Sequence, residues 1–259
     1  MGTVDSYPDG TFCWVDLATP GVPGARAFYT ALLGWETVDL PAGDGAAATR
    51  CRLRGLDVAA IHRQAGDEPA GWGSSVSVDD VDATAARAQQ LGASVLGAPS
   101  AVADAGRTAL LADPGGARVS LWQAGTHAGA RLVNEVGAWT WNELVTPDVD
   151  GAKEFYAGVF GWTAQDAPGP LVRAGFALGG LLVGGVHAPT AQEGATPRWT
   201  VAFRVADADA GAARVEQLGG RVLLPPLGIA TGRFAIVADP AGASFTVTAG
   251  RTIRGLDGA

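Results

Sequence analysis

Two carboxylates, each placed two residues after a tryptophan, are the side chains of this chain best suited to chemistry. Asp16 follows Trp14 and Glu143 follows Trp141, and the two pairs lie 127 positions apart. An indole beside a carboxylate is expected to exclude water from it, and desolvation favours the protonated form, which suits general acid–base catalysis. Each carboxylate could equally accept structural hydrogen bonds from neighbouring strands, so the residues alone leave both roles open.

Two histidines form a second matched pair, because His62 and His187 each end a run of small and aliphatic residues in their repeat. A histidine titrates near neutral pH, so each could move a proton or orient a ligand. At a strand end, each could equally be an exposed polar residue. The candidate catalytic residues are therefore Glu143, Asp16, His62 and His187.

Four tryptophans recur at the same spacing and could form an aromatic wall for a flat ligand. They are Trp14, Trp141, Trp72 and Trp199. Aromatic residues on strands are more often plain core, and duplication alone explains the pairing. Substrate binding and core packing therefore remain alternatives for these four residues.

Each carboxylate lies on a predicted strand with alternating faces. In residues 12–18, alternation places Phe12 and Trp14 on the face of Asp16. The same alternation places Trp139 and Trp141 on the face of Glu143. We therefore expect more apolar bulk around Glu143 than around Asp16, and a larger loss of activity from Glu143→Gln than from Asp16→Asn.

The elements that follow the first strand predict a β-α-β-β-β unit. A helix is predicted over 23–33 and is closed by Gly34, and three short strands follow near 36–40, 48–54 and 57–63. A second such unit begins near residue 72. The second half repeats the whole plan, so the chain is predicted to hold four units.

The repeat divides the chain into two domains of similar size. The predicted first domain spans 1–125, a linker spans 126–137, the second domain spans 138–249, and 250–259 form a flexible tail. One chain is thereby expected to supply all four units, as a monomer or a homodimer.

Composition excludes several classes of protein. The net charge of −8 leaves no basic stripe for nucleic acid. No apolar stretch is long enough to span a membrane, and the two cysteines have no counterparts across the repeat. We therefore expect a cytoplasmic protein that contacts neither nucleic acid nor membrane and has no disulfide framework.

Two repeated motifs carry a family resemblance. The first helix ends in Phe28-Tyr29…Leu33-Gly34-Trp35, and the turn before the last strand reads Asp113-Pro114-Gly115-Gly116; both motifs recur in the second half. With four β-α-β-β-β units, the chain resembles the vicinal oxygen chelate superfamily, which includes glyoxalase I, extradiol dioxygenases and bleomycin-binding proteins. It is most similar to a two-domain glyoxalase-like branch, often labelled hydroxylase, that includes a mycobacterial 27-kDa antigen. The resemblance implies an α+β fold with two curled mixed sheets around ligand cavities and helices on the outside.

The resemblance also implies positions for metal ligands, and this chain departs from them. The first ligand position is occupied by Trp14 and Trp141, and the last by Ser120 and Thr246. Indole nitrogen is only a donor, and hydroxyl groups are poor ligands beside histidine or carboxylate. We therefore predict no metal and no cofactor, and we count Ser120 and Thr246 among the substrate-binding residues.

Three functions fit these observations. The first is a metal-independent enzyme that moves protons on a small aromatic or polyketide-like metabolite, as a lyase, isomerase, hydratase or hydroxylase-labelled relative. The alternative is a resistance protein that binds a drug or metabolite without chemistry. A metal-dependent glyoxalase or dioxygenase comes third. In each case the partner is a small molecule, aromatic or carbonyl-bearing.

Overall fold

A computed structural model of the chain describes residues 2–40, 48–166, 174–190, 194–229 and 232–250. The first half contains β1 (Phe12–Thr19), α1 (Val22–Leu33), β2 (Glu36–Asp39), β3 (Ala48–Leu53), β4 (Leu56–Arg63), β5 (Gly71–Ser77), α2 (Val81–Gln90), β6 (Ser94–Val102), β7 (Gly106–Ala112) and β8 (Arg118–Ala124). The second half contains β9 (Trp139–Val145), α3 (Val149–Phe160), β10 (Thr163–Asp166), β11 (Ala174–Leu178), β12 (Leu181–His187), β13 (Arg198–Arg204), α4 (Ala208–Gln217), β14 (Arg221–Ile229), β15 (Gly232–Ala238) and β16 (Ser244–Gly250). The predicted tail lies outside the described residues, apart from Gly250.

Each half forms one eight-stranded mixed sheet. The strand order is β2-β3-β4-β1-β5-β8-β7-β6 in the first half and β10-β11-β12-β9-β13-β16-β15-β14 in the second. The two central strands of each sheet, β1 with β5 and β9 with β13, run antiparallel and join its two units. The predicted α+β fold of tandem β-α-β-β-β units is thereby confirmed. No helix in the described ranges is both long and apolar enough to cross a membrane.

Glycine and aspartate residues determine where the helices end and begin. Gly34 and Gly161 end α1 and α3 in the left-handed conformation that glycine adopts without strain. The side chains of Asp80 and Asp207 cap α2 and α4 by accepting a backbone N–H in the first turn. These caps fix where each helix starts and stops relative to the strands that carry the candidate site.

The helix-bearing faces of the two sheets pack against each other. Two buried chains of hydrogen bonds, called relays below, connect them. Trp72 Nε1 donates to the hydroxyl of Tyr29 at 3.0 Å, and that hydroxyl donates to Asp239 of the other half at 3.2 Å. The pseudosymmetric relay runs from Trp199 to Tyr156 at 2.8 Å and then to Asp113 at 3.0 Å. The helix motif of each half is thus bonded to the turn motif of the other.

These relays correct the prediction that Trp72 and Trp199 bind substrate. Trp72 lies opposite Leu17 in the sheet and Trp199 opposite Leu144, on the faces turned away from the two carboxylates. Both indoles are buried. Side chains alternate along a strand, so Trp72 points to the face opposite that of its neighbour Gly73. It is Gly73 that lies beside Asp16. The two tryptophans belong to the core between the halves.

A β-bulge corrects a second prediction, that Phe12 and Trp139 share a face with the carboxylates. The pairing register shifts between Phe12 and Trp14 in β1, and the equivalent shift in β9 leaves Trp139 opposite Phe203. A bulge inserts one residue and moves everything beyond it to the opposite face. Phe12 therefore packs edge-on to Trp199 at 4.9 Å, and Trp139 is buried with its Nε1 bonded to Asn142 Oδ1.

Candidate functional site

The face of the first sheet opposite the helices brings together most of its predicted site residues. Strand pairing aligns Asp16 with Ala60 on β4 and with Gly73 on β5, and the next row holds His62. Trp14 lies opposite Ser75, which is paired with Ser120. Asp16, His62, Trp14 and Ser120 thus share one face of the sheet.

His62 and Asp16 form a hydrogen-bonded ion pair. Nε2 of His62 lies 2.8 Å from Oδ2 of Asp16, and Nδ1 lies 3.2 Å from the carbonyl oxygen of Arg63. Both partners are acceptors, so the protonated imidazole can donate from both of its ring nitrogens. The bond to Asp16 raises the pKa of His62 above its ordinary value of 6.5, against the opposing effect of burial.

This ion pair predicts a pH-dependent contribution to stability. Because the pKa of His62 is raised in the folded protein, the pair stabilises the fold fully below pH 6.5 and less as the pH rises through the folded pKa. We expect the difference in melting temperature between wild type and His62→Gln to be largest near the acid end and to shrink towards alkaline pH. Melting curves of both proteins across this range check the prediction; a difference independent of pH would contradict it.

The second half holds a more enclosed carboxylate. Glu143 Oε2 accepts a hydrogen bond from Trp141 Nε1 at 2.6 Å, and Oε1 lies 3.2 Å from Nδ1 of His187. The Glu143 side chain is 14% exposed, compared with 28% for Asp16. His187 is 8% exposed, against 32% for His62. The two bonds hold the Glu143 carboxylate in one orientation at a site with little water around it.

Glycine makes room for the longer side chain of Glu143. Gly185 lies beside Glu143 in the sheet, and a Cβ at Gly185 would come within 2.5 Å of Oε2. The same place in the first half is occupied by Ala60, beside the shorter Asp16. Thr200 on β13 is paired with Glu143, and Thr246 lies one strand further on, on β16. Both share the face of Glu143, so the predicted position of Thr246 faces the site.

Sequence reasoning missed four residues of the first site. His127, from the linker, packs edge-on against Trp14 at 4.6 Å, and Trp122 Nε1 donates to the carbonyl of His127 at 2.8 Å. Burial, followed by the nearby Arg50, lowers the pKa of His127 to about 4. Arg50 and Asp57 lie on the same face, where the alternation of charged residues in β3 and β4 could have indicated them.

The side chains at the family's ligand positions do not fit a divalent metal. At the first position, the indole of Trp141 donates to Glu143. Among the described residues, no three histidine, cysteine, aspartate or glutamate side chains come together as a ligand set. Each half offers one histidine and one carboxylate, bonded to each other. No step of the chemistry below therefore passes through a metal.

Comparison with known proteins places this arrangement in a family. The model of the glyoxalase/bleomycin resistance protein/dioxygenase superfamily matches residues 134–247, and a glyoxalase-like domain model matches 14–122. The chain is 41% identical over 250 residues to the protein named "Putative glyoxylase CFP32" of Mycobacterium bovis, covering 93% of this chain and 95% of the relative. The chain belongs to this superfamily.

One further relative and one solved structure are also similar to this chain. Anthracycline biosynthesis protein DnrV of Streptomyces peucetius is 31% identical over 257 residues, covering 93% of this chain and 94% of the relative. The Mn(II)-bound glyoxalase of Novosphingobium aromaticivorans superposes with a TM-score of 0.66 at 18% identity, over 93% of this chain and 82% of that one. The structural likeness shows the fold, and the resemblance stated from the motifs is confirmed.

Proposed function

We propose that the chain is a metal-independent enzyme that transfers protons on a small aromatic or polyketide-like metabolite, with Glu143 as the acid–base residue. The observation that carries the proposal is the enclosed Glu143 carboxylate, which is held between Trp141 and His187. One donor on each oxygen leaves further lone pairs to accept a substrate proton. A fixed, desolvated carboxylate is the arrangement that general acid–base catalysis uses.

The roles of the other residues follow from their positions. His187 and Trp141 orient the Glu143 carboxylate, and Thr246 lies on the face where substrate would pack. In the first half, the pair of Asp16 and His62 is more exposed than Glu143 and His187, so we assign it to positioning a ligand on its own face and not to proton transfer. The names of two relatives refer to anthracycline biosynthesis, and anthracyclines are aromatic polyketides bearing carbonyl groups. This supports an aromatic carbonyl compound as substrate.

A hydrogen-exchange assay tests proton transfer without knowledge of the final product. Aromatic polyketide ketones are incubated with the protein in D2O, and mass spectrometry records deuterium gained beside the carbonyl group. We expect enzyme-dependent exchange for at least one ketone. The opposite outcome is that calorimetry shows binding of one or more ketones, but every ketone is recovered unlabelled and unchanged. That outcome would favour the alternative function, a protein that sequesters its ligand.

Chelation should leave this exchange unchanged. The residues at the ligand positions do not fit a metal, so neither EDTA nor 1,10-phenanthroline has a catalytic ion to remove. We expect equal exchange rates with and without chelator and a substoichiometric metal content by elemental analysis. One tightly bound Mn, Fe, Ni or Zn per chain, with activity lost on its removal, would overturn the metal-independent mechanism.

Gly185→Ala should disable the site while sparing the fold. The added Cβ would fall 2.5 Å from Glu143 Oε2, so the carboxylate must leave its bonds to Trp141 and His187. Misplacement of a catalytic group by about 1 Å costs on the order of 10²-fold in rate, and we expect a loss of that size. Gly24→Ala is the matched control, because a Cβ there meets nothing within 4 Å. Unchanged exchange in folded Gly185→Ala would contradict the assignment.

A further inference from the structure

The first half carries a cluster of charged groups that has no counterpart among the described residues of the second half. One carboxylate, Asp57, bridges two guanidinium groups: its Oδ2 accepts from Arg50 at 3.0 Å and its Oδ1 from Arg52 Nε at 2.8 Å. A guanidinium group has five N–H donors. Among the described residues, these two bonds use one donor from each arginine, so the remaining donors can serve a ligand.

The arginine cluster is continuous with the ion pair of Asp16 and His62. Arg50 is paired with Ala60, and Ala60 lies beside Asp16, so one row of the sheet joins the two clusters. The face therefore holds the guanidinium groups of Arg50 and Arg52 beside the carboxylate of Asp57 and the pair of His62 and Asp16. These two arginines share one face in a chain whose net charge is −8.

The charged side chains of this cluster are partly buried. Side-chain exposure is 24% for Arg50, 37% for Arg52 and 13% for Asp57. Charges that are partly shielded from water bind an added counter-charge more strongly than exposed ones. For comparison, the side chains of Arg107 and Arg233 are 41% and 49% exposed, and their carboxylate partners are more than half exposed.

An aromatic wall borders the cluster. Trp14 and Trp122 both contact the ring of His127, at 4.6 and 5.8 Å between centroids. The lowered pKa of His127 keeps this ring neutral at physiological pH. A flat group lying against these rings would place its charged end towards Arg50, because Trp14 lies two residues from Asp16 on the same face and Arg50 lies in the row of Asp16.

The equivalent row of the second half has no charge at these positions. Gly175 and Gly185 stand beside Glu143 where Arg50 and Ala60 stand beside Asp16. Ala177 and Leu182 form the pair that corresponds to Arg52 and Asp57. The two halves share a fold but present different chemistry, so they are suited to different ligands or to different groups of ligands.

We propose that this face of the first half is a separate binding site for a planar organic anion, with an aromatic carboxylate as the ligand class. The carboxylate accepts hydrogen bonds from the unused N–H donors of Arg50 and Arg52, and the ring packs against Trp14 and its neighbours. The site does not depend on the role of Glu143, which lies in the other half.

Isothermal titration calorimetry of the full-length protein with 2-naphthoate and with neutral 2-naphthamide tests the site. We expect 2-naphthoate to bind about tenfold or more tightly than the amide, since a hydrogen bond to a charged group is worth about 1.5–3 kcal/mol. Added salt should weaken binding of the carboxylate and spare the amide. Equal affinity for the two probes, or no binding of 2-naphthoate at millimolar concentration, overturns the proposal.

Three variants locate the anion. Arg50→Gln and Arg52→Gln should each weaken 2-naphthoate binding about tenfold, while Arg233→Gln, which removes an exposed arginine paired with Asp209, should not. Arg52 is the more exposed of the two, so its variant carries the test if Arg50→Gln does not fold. Glu143→Gln should retain binding; loss there, with both arginine variants unaffected, would place the anion in the second half and refute the separate site. Failure of the proposed catalysis alone would leave these affinities unchanged.

Discussion

Glu143→Gln is expected to lower the rate of proton exchange by about 10²- to 10⁴-fold, the range that a positioned general acid–base residue contributes. Glutamine has the same shape and retains one carbonyl oxygen, which can still accept from Trp141 Nε1. It has no carboxylate that could take up a proton. The loss should therefore appear in the rate of deuterium incorporation, while the melting temperature changes little.

Asp16→Asn serves as the matched comparison, and its effect should be smaller. Asp16 is hydrogen-bonded to His62, is twice as exposed as Glu143 and lies on the face of the other half. We therefore expect Asp16→Asn to change the exchange rate little. Near-wild-type exchange by a folded Glu143→Gln protein would remove Glu143 as catalyst. A fall in melting temperature without a specific loss of rate would show that both carboxylates are structural.

Much of this architecture is predictable from the sequence because it is repeated. The spacing of 127 residues matches Trp14 with Trp141 and Asp16 with Glu143, so an accidental pattern in one half is distinguishable from a shared one. Alternation along β1 and β9 then places Asp16 on the face of Trp14 and Glu143 on the face of Trp141. The pairs His62–Asp16 and His187–Glu143 form because β4 lies beside β1 and β12 lies beside β9 in the structure.

Other features depend on contacts that no local pattern contains. The bulges in β1 and β9 move Phe12 and Trp139 to the core. Neither bulge contains a glycine or proline from which it could have been predicted. Trp72 follows the same alternation as a cavity residue, and only the packing of one half on the other, through Phe203 at 4.8 Å, assigns it to the core. His127 reaches the first site because the linker folds back on Trp14, a long-range contact that spacing within a repeat cannot predict.

Asp239→Ala is expected to destabilise the protein by about 2–5 kcal/mol, because it leaves several buried donors without partners. Oδ1 of Asp239 accepts the backbone N–H groups of Ala241 and Ala243, both at 2.9 Å, and Oδ2 accepts the hydroxyl of Tyr29 from the other half. The change removes all three bonds and breaks a relay between the halves. The melting temperature should fall by on the order of 10 °C.

The chemistry of Asp239 sets the controls for this measurement. Asp239→Asn should lose less, because its amide oxygen can still accept the two backbone N–H groups. Asp209→Ala, which removes an exposed carboxylate paired with Arg233, should leave the melting temperature unchanged. Burial raises the pKa of Asp239 above its ordinary value of 3.8, so ionisation costs the folded wild type free energy. The defect of Asp239→Ala should therefore grow as the pH falls from neutrality through the folded pKa. A defect no larger than that of Asp209→Ala would show that the relay does not hold the two halves together.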